Sequence, residues 1–163
     1  MAYECNGATV EADEEGYITI LSRKKELFKT STGKYVSAIA IEQKITANKW
    51  IDYAVIIANG RPFVSALIFM DEILLEAFAE RKKLSELSFD ELVQHKRVQA
   101  IALGIIKKVN SKLNHWEQIQ KFHIVREKVS IESGVLTPSM KVSRQKVEDI
   151  YKNEIENFYR SES

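Results

Sequence analysis

The sequence predicts an α+β fold, in which a small, largely antiparallel sheet is covered by helices and preceded by a short β-hairpin. Short runs rich in β-branched and aromatic residues occupy much of the first half of the chain and are separated by turn residues, as in antiparallel strands. Longer segments in the second half repeat apolar residues every three or four positions, which is the spacing of amphipathic helices. The two patterns together indicate a mixed domain.

The strands of the first half are marked by alternation and turn residues. GATVEADEEGYITILSR alternates apolar and polar residues around the acidic turn DEEG, which predicts a β-hairpin. Two apolar runs, DYAVIIA and PFVSALIFM, flank Asn59-Gly60, and both of these residues tolerate the positive φ of a two-residue hairpin turn. Between the hairpins we predict a helix with Ser37 as its N-cap and with apolar residues at helical spacing: Ile39, Ile41 and Ile45.

The helices of the second half begin with DEILLEAFAERKK. One side of this helix is predicted to carry four apolar residues: Ile73, Leu74, Ala77 and Phe78. Ser88 and Glu91 then form a capping-box pattern at the start of FDELV. A longer helix follows, with apolar residues at helical spacing: Val98, Ile101, Ala102, Ile105, Val109 and Leu113.

The end of the chain contains a strand, a loop and a helix. QKFHIVRE predicts a short strand, and the final amphipathic helix begins near Ser143. The apolar face of that helix is predicted to contain Val147, Ile150, Tyr151, Ile155, Phe158 and Tyr159.

The composition excludes several classes of protein. The chain has 163 residues, of which 45% are hydrophobic and 29% charged, so it can bury the core of one ordinary domain. Lys and Arg number 24 against 23 Asp and Glu, so we expect no binding of nucleic acid driven by net charge. Cys5 is the single cysteine, and the three histidines are too far apart for a metal site. Neither a signal peptide nor a transmembrane segment is evident, which favours a cytoplasmic protein.

Two segments are candidates for function. The loop GVLTPSMKVSRQK carries Lys141 just ahead of a predicted helix, where the peptide dipoles mildly disfavour a cation. Lys141 is therefore either simply solvated or placed to meet an anion. The other segment, residues 22–42, combines Arg23 and Lys25 with Gly33, where the backbone must bend or admit a close approach. Common catalytic signatures, including the serine nucleophile elbow, the zinc-binding helix and the Walker phosphate loop, do not occur in the sequence.

Together these segments resemble the C-terminal domain of the adenylate-forming enzymes, and specifically that of long-chain fatty acid–CoA ligases. DEEGYITILSRKKELFKTSTGKYVSAIAIE is similar to the family's hairpin, to its R-K-K-E-L-x-K-T-x-x-G-K-Y-V motif and to the helix with I-E that follows. LTPSMKVSR resembles the L-T-P-T-x-K-x-x-R motif of the long-chain branch, and NGRPFVSALI resembles the family's second hairpin. The resemblance covers almost the whole chain after about residue 8.

The resemblance implies a domain that works with a larger one. Residues 1–24 would be a leader and β-hairpin at the end of a large N-terminal adenylation domain, and residues 25–163 would be the mobile C-terminal lid. In the family, the N-terminal domain carries the phosphate loop and acyl tunnel and binds most of the ATP and Mg²⁺. No such phosphate loop occurs in this chain, so we expect the chain to be inactive alone. The implied substrates are fatty acid, ATP and CoA, and peripheral membrane attachment of the full-length enzyme is left open.

The resemblance also implies roles for individual residues. Lys141 matches the adenylation lysine, Lys25 the hinge about which the domain rotates, and Arg23 the contact to the ribose hydroxyls of the nucleotide. No residue is assigned to a metal. The channel for the pantetheine arm of CoA would be lined by one strand with three residues: Gly33, Lys34 and Tyr35.

Two positions depart from the family pattern. Ser22 replaces the usual glycine before the motif arginine, and Met140 replaces the usual glycine before the adenylation lysine, where the long-chain branch often has an apolar residue. Neither change removes a charge, but both alter local geometry.

Two other interpretations remain: a stand-alone, non-catalytic binding module derived from this domain, and a generic α+β interaction domain with accidental motif matches. Retention of Lys141, Lys25 and Arg23 argues against the first, and the length of the resemblance argues against the second.

Overall fold

Three small sheets and six α-helices make up the described part of the computed structural model. The description covers the backbone of residues 2–5, 8–12 and 18–23, and both backbone and side chains of residues 27–160. Every strand pair but one is antiparallel. This architecture confirms the predicted α+β class.

The first sheet contains the predicted N-terminal hairpin. Strands β2 (Ala8–Ala12) and β3 (Ile18–Arg23) pair in antiparallel fashion, which confirms the strand pairing of the hairpin. The predicted acidic turn DEEG lies outside the described residues. A further strand, β1 (Ala2–Cys5), pairs with β2 and was not predicted, because four residues are too few to establish an alternating pattern.

The second sheet is a two-stranded hairpin of β4 (Leu27–Lys29) and β5 (Tyr35–Ser37). Its turn is closed by two backbone hydrogen bonds, from Thr30 N–H to the Lys34 carbonyl (2.9 Å) and from Gly33 N–H to the Thr30 carbonyl (3.0 Å). The hairpin leads directly into helix α1 (Ala38–Thr46). Ser37 occupies the predicted N-cap position, but its side chain makes no capping hydrogen bond.

The third sheet is the centre of the domain, with the strand order β6 (Ile51–Ile57), β7 (Val64–Met70), β8 (Ile119–Ile124). Strand β6 pairs antiparallel to β7, and β8 pairs parallel to it. All seven residues of β7 are buried, because helices cover both faces of the sheet. A strand buried on both faces reads as a continuous apolar run, which explains why VSALIFM lacks alternation.

The connection between β6 and β7 differs from the predicted two-residue turn. Gly60 has a φ of 69°, whereas Asn59 keeps a negative φ, and the loop extends over residues 58–63. Its backbone bonds to the second sheet: Gly60 N–H donates to the Lys29 carbonyl and Ser31 N–H donates to the Arg61 carbonyl, each at 2.9 Å. These contacts between sheets favour a longer loop over the tight turn that the dipeptide alone indicates.

Four helices cover one face of the third sheet: α1, α2 (Glu72–Arg81), α3 (Phe89–Gln94) and α4 (Lys96–Asn110). The predicted capping box of α3 is confirmed. Ser88 Oγ accepts a hydrogen bond from Glu91 N–H (3.3 Å), and Glu91 Oε2 accepts one from Ser88 N–H (2.8 Å). A short 3₁₀ helix, His115–Glu117, then connects α4 to β8.

The predicted apolar face of α2 is confirmed at Phe78 and wrong at Ile73 and Ala77. Ile73 is 78% exposed and Ala77 is exposed as well, whereas Leu75, Phe78 and Ala79 are buried. The run ILLEAFA contains apolar residues on more than one side, so spacing alone leaves the direction of the helix open. Tertiary packing buries Leu75 and Ala79 beside Phe78, whose ring meets the edge of Trp50 with 5.8 Å between centroids.

The opposite face of the sheet is covered by α5 (Arg144–Ile150) and α6 (Lys152–Arg160). The single helix that the sequence predicts is therefore two, with a break at Tyr151 (φ −100°, ψ 25°). Ile150, expected in the core, is 48% exposed. The Tyr151 ring packs edge-on against Phe69, and its hydroxyl donates to Glu127, so the break coincides with a side chain that is bound to the sheet and to the loop after β8.

A hydrogen bond between the half-buried Tyr159 and the buried Ser65 attaches α6 to the sheet, and it predicts an effect on stability. Tyr159 Oη lies 2.7 Å from Oγ of the fully buried Ser65, and 3.1 Å from the Phe63 carbonyl. Replacing Tyr159 by phenylalanine leaves these groups short of a partner, so we expect the chain to lose about 1–2 kcal/mol of unfolding free energy. Urea denaturation measures the loss. The control is Tyr35→Phe, because the Tyr35 side chain is exposed; equal values for both variants would contradict the prediction.

Candidate functional site

Lys141 lies on a short loop that is closed at its base. Leu136 and Val142 form an antiparallel β-bridge, and Ser143 N–H donates to the Val135 carbonyl at 2.9 Å. Val135 and Leu136 are buried, so the base of the loop packs into the core while its tip faces solvent. The loop therefore has a defined shape and a fixed attachment to the domain.

The tip of the loop is a tight turn before Lys141. Thr137 N–H donates to the Lys141 carbonyl and Met140 N–H donates to the Thr137 carbonyl, each at 2.8 Å. Met140 has a φ of 62° and is 56% exposed. This left-handed conformation costs a residue with a side chain roughly 1–2 kcal/mol, and glycine adopts it freely. The position where the family pattern has glycine thus has a backbone conformation that suits glycine.

The ammonium group of Lys141 is available to a ligand. The residue is exposed, and within residues 27–160 no carboxylate forms an ion pair with it. By contrast, Lys128 forms ion pairs with Glu72 and Glu76. An exposed cation without a carboxylate partner can bind an incoming anion without first breaking an ion pair.

Arg144, three residues after Lys141, joins the loop to the opposite helical layer. Its Nη2 lies 2.6 Å from Glu42 Oε1, and its Nη1 donates to the Ile56 carbonyl at 2.9 Å. The guanidinium also stacks on the Phe28 ring, 5.1 Å from its centroid. No role for this contact group follows from the sequence motifs, although Glu42 ends the I-E motif and Arg144 ends LTPSMKVSR.

Gly33 is required by the backbone of its turn. Its φ is 85°, and a Cβ added there would have no atom within 4 Å. The space beside Gly33 is therefore open, and the left-handed φ supplies a reason for glycine that does not depend on a ligand.

Lys34 and Tyr35 lie at the surface next to Gly33. Tyr35 is 57% exposed, and the Lys29 ammonium is 5.7 Å from the centroid of its ring. The Lys34 ammonium is 5.1 Å from the centroid of Trp116, which is itself 42% exposed. Trp116 was missed by the sequence analysis, because nothing in a sequence signals that the 3₁₀ helix before β8 will meet this hairpin.

The sequence of this domain matches a known family along most of its length. Residues 26–163 match the family described as the AMP-binding enzyme C-terminal domain. The chain belongs to this family. The match includes Lys141, Gly33, Lys34 and Tyr35, and it excludes an accidental likeness of motifs in a generic interaction domain.

Curated relatives of this AMP-binding C-terminal domain are much longer proteins. The long-chain-fatty-acid–CoA ligase FadD15 of Mycobacterium tuberculosis is 34% identical over 151 residues, which are 92% of this chain and 25% of the relative. Long-chain-fatty-acid–CoA ligase 5 of Rattus norvegicus is 29% identical over 149 residues, which are 90% of this chain and 22% of the relative. The chain thus spans about a quarter of the length of these relatives.

Solved structures show the same fold. The adenylation domain of a carboxylate reductase from Mycobacterium chelonae matches 95% of this chain with a TM-score of 0.71 and 21% identity, over 23% of its own length. The A domain of the carboxylic acid reductase from Segniliparus rugosus, solved with AMP and a co-purified carboxylic acid, matches 97% with a TM-score of 0.71 and 19% identity, over 23% of its length. The fold of the AMP-binding C-terminal domain therefore recurs in adenylation domains.

Two of the predicted site residues have no described side chain. Arg23 is the last residue of β3, where only the backbone is described, and Lys25 lies outside the described residues. The contact of Arg23 with ribose and the hinge role of Lys25 remain predictions.

In the described part of the AMP-binding C-terminal domain, no three His, Cys, Asp or Glu side chains come together as metal ligands would. None of the helices described is long and apolar enough to cross a bilayer.

His123 is half-buried in a cleft between β8 and α6, and its surroundings predict how the stability of the domain depends on pH. Removal from water lowers the pKa of His123; Glu154 and Glu127 oppose this shift, and Arg126 adds to it. The unfolded chain therefore takes up this proton first, near its ordinary pKa of roughly 6.5, so stability falls as the pH drops through that value. We expect His123→Gln to reduce the fall in unfolding free energy between pH 7.5 and pH 5, as urea denaturation can measure. The exposed His115, replaced in the same way, is the control; an unaltered pH slope in His123→Gln would contradict the prediction.

Proposed function

We propose that the chain is the C-terminal lid domain of a long-chain fatty acid–CoA ligase and supplies the lysine for the adenylation step. The observation that carries the proposal is Lys141, an exposed ammonium group on a closed loop, without an ion-pair partner in residues 27–160. The identity of 34% with FadD15 over 92% of the chain supports the choice of ligase.

The proposed reaction has two halves. A fatty acid carboxylate attacks the α-phosphate of ATP, forming an acyl-adenylate and releasing pyrophosphate. The CoA thiol then attacks the acyl carbon and displaces AMP, leaving the thioester. A large N-terminal domain would bind the fatty acid, ATP and Mg²⁺, and this domain would contribute different surfaces to each half. We place residues 1–24 with the N-terminal domain and residues 25–163 in the lid.

Lys141 would act in the first half-reaction. Negative charge accumulates where the carboxylate meets the α-phosphate, and a positioned ammonium that touches both groups lowers the barrier and aligns the reactants. Lysine suits this task because its charge is compact and its stem is flexible. The closed base of the loop supports the proposal, since it holds the start of that flexible stem in one place.

The hairpin of β4 and β5 would act in the second half-reaction. After rotation about Lys25, the strand with Gly33, Lys34 and Tyr35 would line the channel for the pantetheine arm of CoA. The open space beside Gly33 supports this role, because a thin ligand can pass along the backbone there. Arg23 would contact the ribose hydroxyls of the nucleotide. A cytoplasmic location for the full-length ligase belongs to the same proposal.

Exchange of domains tests the proposal. The domain-exchange ligase is FadD15 in which the matching C-terminal quarter is replaced by residues 1–163. We expect it to form acyl-CoA from fatty acid, ATP and CoA, whereas FadD15 truncated before this quarter should not. Intact FadD15 is the positive control. A folded domain-exchange ligase that is no more active than the truncated enzyme would overturn the proposal.

The alternative, a stand-alone binding module, is separated by the same experiment. Such a module would leave the domain-exchange ligase inactive. The isolated 163-residue chain should form no acyl-CoA and bind ATP weakly, since its sequence contains no phosphate loop. Robust acyl-CoA formation by the isolated chain would contradict the lid assignment.

A substitution at Gly33 tests the channel. In the domain-exchange ligase, Gly33→Ala adds a methyl group in the open space and strains a φ of 85°. We expect thioester formation from pre-formed acyl-adenylate to fall by about tenfold or more, while pyrophosphate exchange changes little, because a poorly oriented thiol reacts slowly.

The matched control for this substitution is Gly60→Ala. Gly60 also has a positive φ, 69°, and open space around its position, but it lies outside the proposed channel. If both alanine variants lose thioester formation equally, backbone strain and not the channel explains the effect.

A further inference from the structure

We infer that Arg144 is the positioning residue for Lys141, an inference that rests on the proposed function. Arg144 does not touch the reacting atoms in this scheme. Arg144 is the first residue of α5, and its side chain contacts three groups from other parts of the domain: the Glu42 carboxylate, the Ile56 carbonyl and the Phe28 ring. These contacts hold the start of α5, and with it the end of the Lys141 loop, in place. We call this contact group the Arg144 clamp.

The Arg144 clamp satisfies the backbone of one residue on the outer edge of the central sheet. Strand β6 is an edge strand, because the order is β6-β7-β8. Ile56 in β6 donates its N–H to Glu42 Oε1 at 2.9 Å and accepts a hydrogen bond from Arg144 Nη1 at 2.9 Å. Glu42 and Arg144 therefore satisfy both backbone groups of Ile56, and their side chains also bond to each other at 2.6 Å. An unpaired strand edge normally binds water or another strand, and here it binds the helix that follows the catalytic loop.

The charges of the clamp are more sheltered than those of a comparable ion pair. The side chains of Arg144 and Glu42 are 27% and 16% exposed. Arg61 and Glu156 form an ion pair of the same length, 2.6 Å, with exposures of 31% and 43%. Removing one partner of a sheltered pair leaves a charge that water cannot fully solvate, so the backbone near it moves to recover contacts. Removal of an exposed partner has a small effect.

The clamp links Lys141 to the segment that follows the proposed hinge. Only Val142 and Ser143 separate Lys141 from Arg144, and both are held to the 135–136 segment by the bridge and the backbone hydrogen bond at the base of the loop. Phe28, on the other side, lies three residues after Lys25. The stack of Arg144 on Phe28 thus ties β4 to the loop, so a rotation at Lys25 would carry Lys141 with it as one rigid unit.

The expected result separates positioning from a general loss of structure. In the domain-exchange ligase, Arg144→Met should lower the kcat of acyl-adenylate formation by tenfold or more, because an ammonium group displaced by about 1 Å aligns the reactants poorly. Pyrophosphate exchange measures this half-reaction. Thioester formation from pre-formed acyl-adenylate should change less than threefold, since Lys141 has left the site by then. Arg144→Lys keeps the positive charge beside Glu42 but not the two-pronged contact, so it should recover part of the loss.

Two matched controls accompany these variants. Arg61→Met and Glu156→Gln break the exposed ion pair of the same length and should leave both half-reactions unchanged. Glu42→Gln removes the charge of the partner while keeping an oxygen for Ile56 N–H, and it should slow adenylation in the same selective way. If Arg144→Met fails to fold, Glu42→Gln and Arg144→Lys decide the question.

The outcomes distinguish this inference from the proposed function. If Lys141→Ala and Arg144→Met both slow adenylation alone, both ideas stand. If Lys141→Ala slows adenylation and the clamp variants do not, the positioning role is overturned and the proposed function survives. An equal loss in both half-reactions for the clamp variants also overturns the positioning role. If Lys141→Ala has no effect, the proposed function itself fails.

Discussion

Replacing Lys141 by alanine in the domain-exchange ligase is expected to slow acyl-adenylate formation by roughly 10²–10³, the loss typical of removing one preorganised charge-stabilising group. The reaction of pre-formed acyl-adenylate with CoA should be spared, because in the proposed mechanism the lysine would have moved away with the domain by that stage. Pyrophosphate exchange measures the first half-reaction, and release of AMP on addition of CoA measures the second. Unfolding free energy should hardly change, since Lys141 is exposed and outside any ion pair described for residues 27–160.

The controls for this substitution are two lysines of the helices that follow. Lys146 in α5 and Lys152 in α6 are exposed, as Lys141 is, and their alanine variants should keep both half-reactions. A lysine that is merely solvated would also give no kinetic effect. Lys141→Ala behaving like the two controls would therefore remove the main support for the assigned function.

Replacing Lys25 by proline in the same ligase should have the opposite selectivity. Proline fixes φ near −65°, so it would freeze a torsion through which the domain rotates between the two half-reactions. Adenylation should stay largely intact, and thioester formation should be crippled, with a larger effect than any side-chain truncation at that position. The two half-reactions are again measured separately.

Lys25→Ala is the matched control for the proline variant. It removes the same side chain but leaves the torsion free, so it should retain most of the thioester formation. If Lys25→Pro loses pyrophosphate exchange and thioester formation to the same extent, Lys25 is not the pivot. A strong loss in Lys25→Ala would assign the effect to the side chain instead.

Local patterns in the sequence predicted several features correctly. The capping box of Ser88 and Glu91 forms as expected, since its partners lie three residues apart and need no help from the rest of the fold. The N-terminal hairpin and the long helix α4 also follow from short-range periodicity. In each case the information needed is contained within a few turns or one hairpin.

Features that depend on distant contacts could not be predicted in this way. The loop after Asn59 is longer than a two-residue turn because it bonds to the hairpin of β4 and β5. The buried face of α2, which has Leu75 and Ala79 beside Phe78, is set by packing against the rest of the domain, including Trp50 from the segment before β6. Spacing alone left two faces of that helix almost equally apolar, so the outcome depended on a partner that the local sequence does not contain.

The candidate site also combines features that the local sequence determines with features that depend on distant contacts. Lys141 and Gly33 are singled out from the sequence by their places in motifs. The local sequence also determines three features of the loop: the Lys141 ammonium group without a carboxylate partner among residues 27–160, the hydrogen-bonded base of the loop, and the left-handed turn at Met140. The Arg144 clamp is different, because its partners Glu42, Ile56 and Phe28 are 88 or more residues away along the chain. An ion pair over such a separation forms only when the sheet brings two helical layers to the same edge strand, so the residue that we infer positions Lys141 is visible only in the tertiary structure.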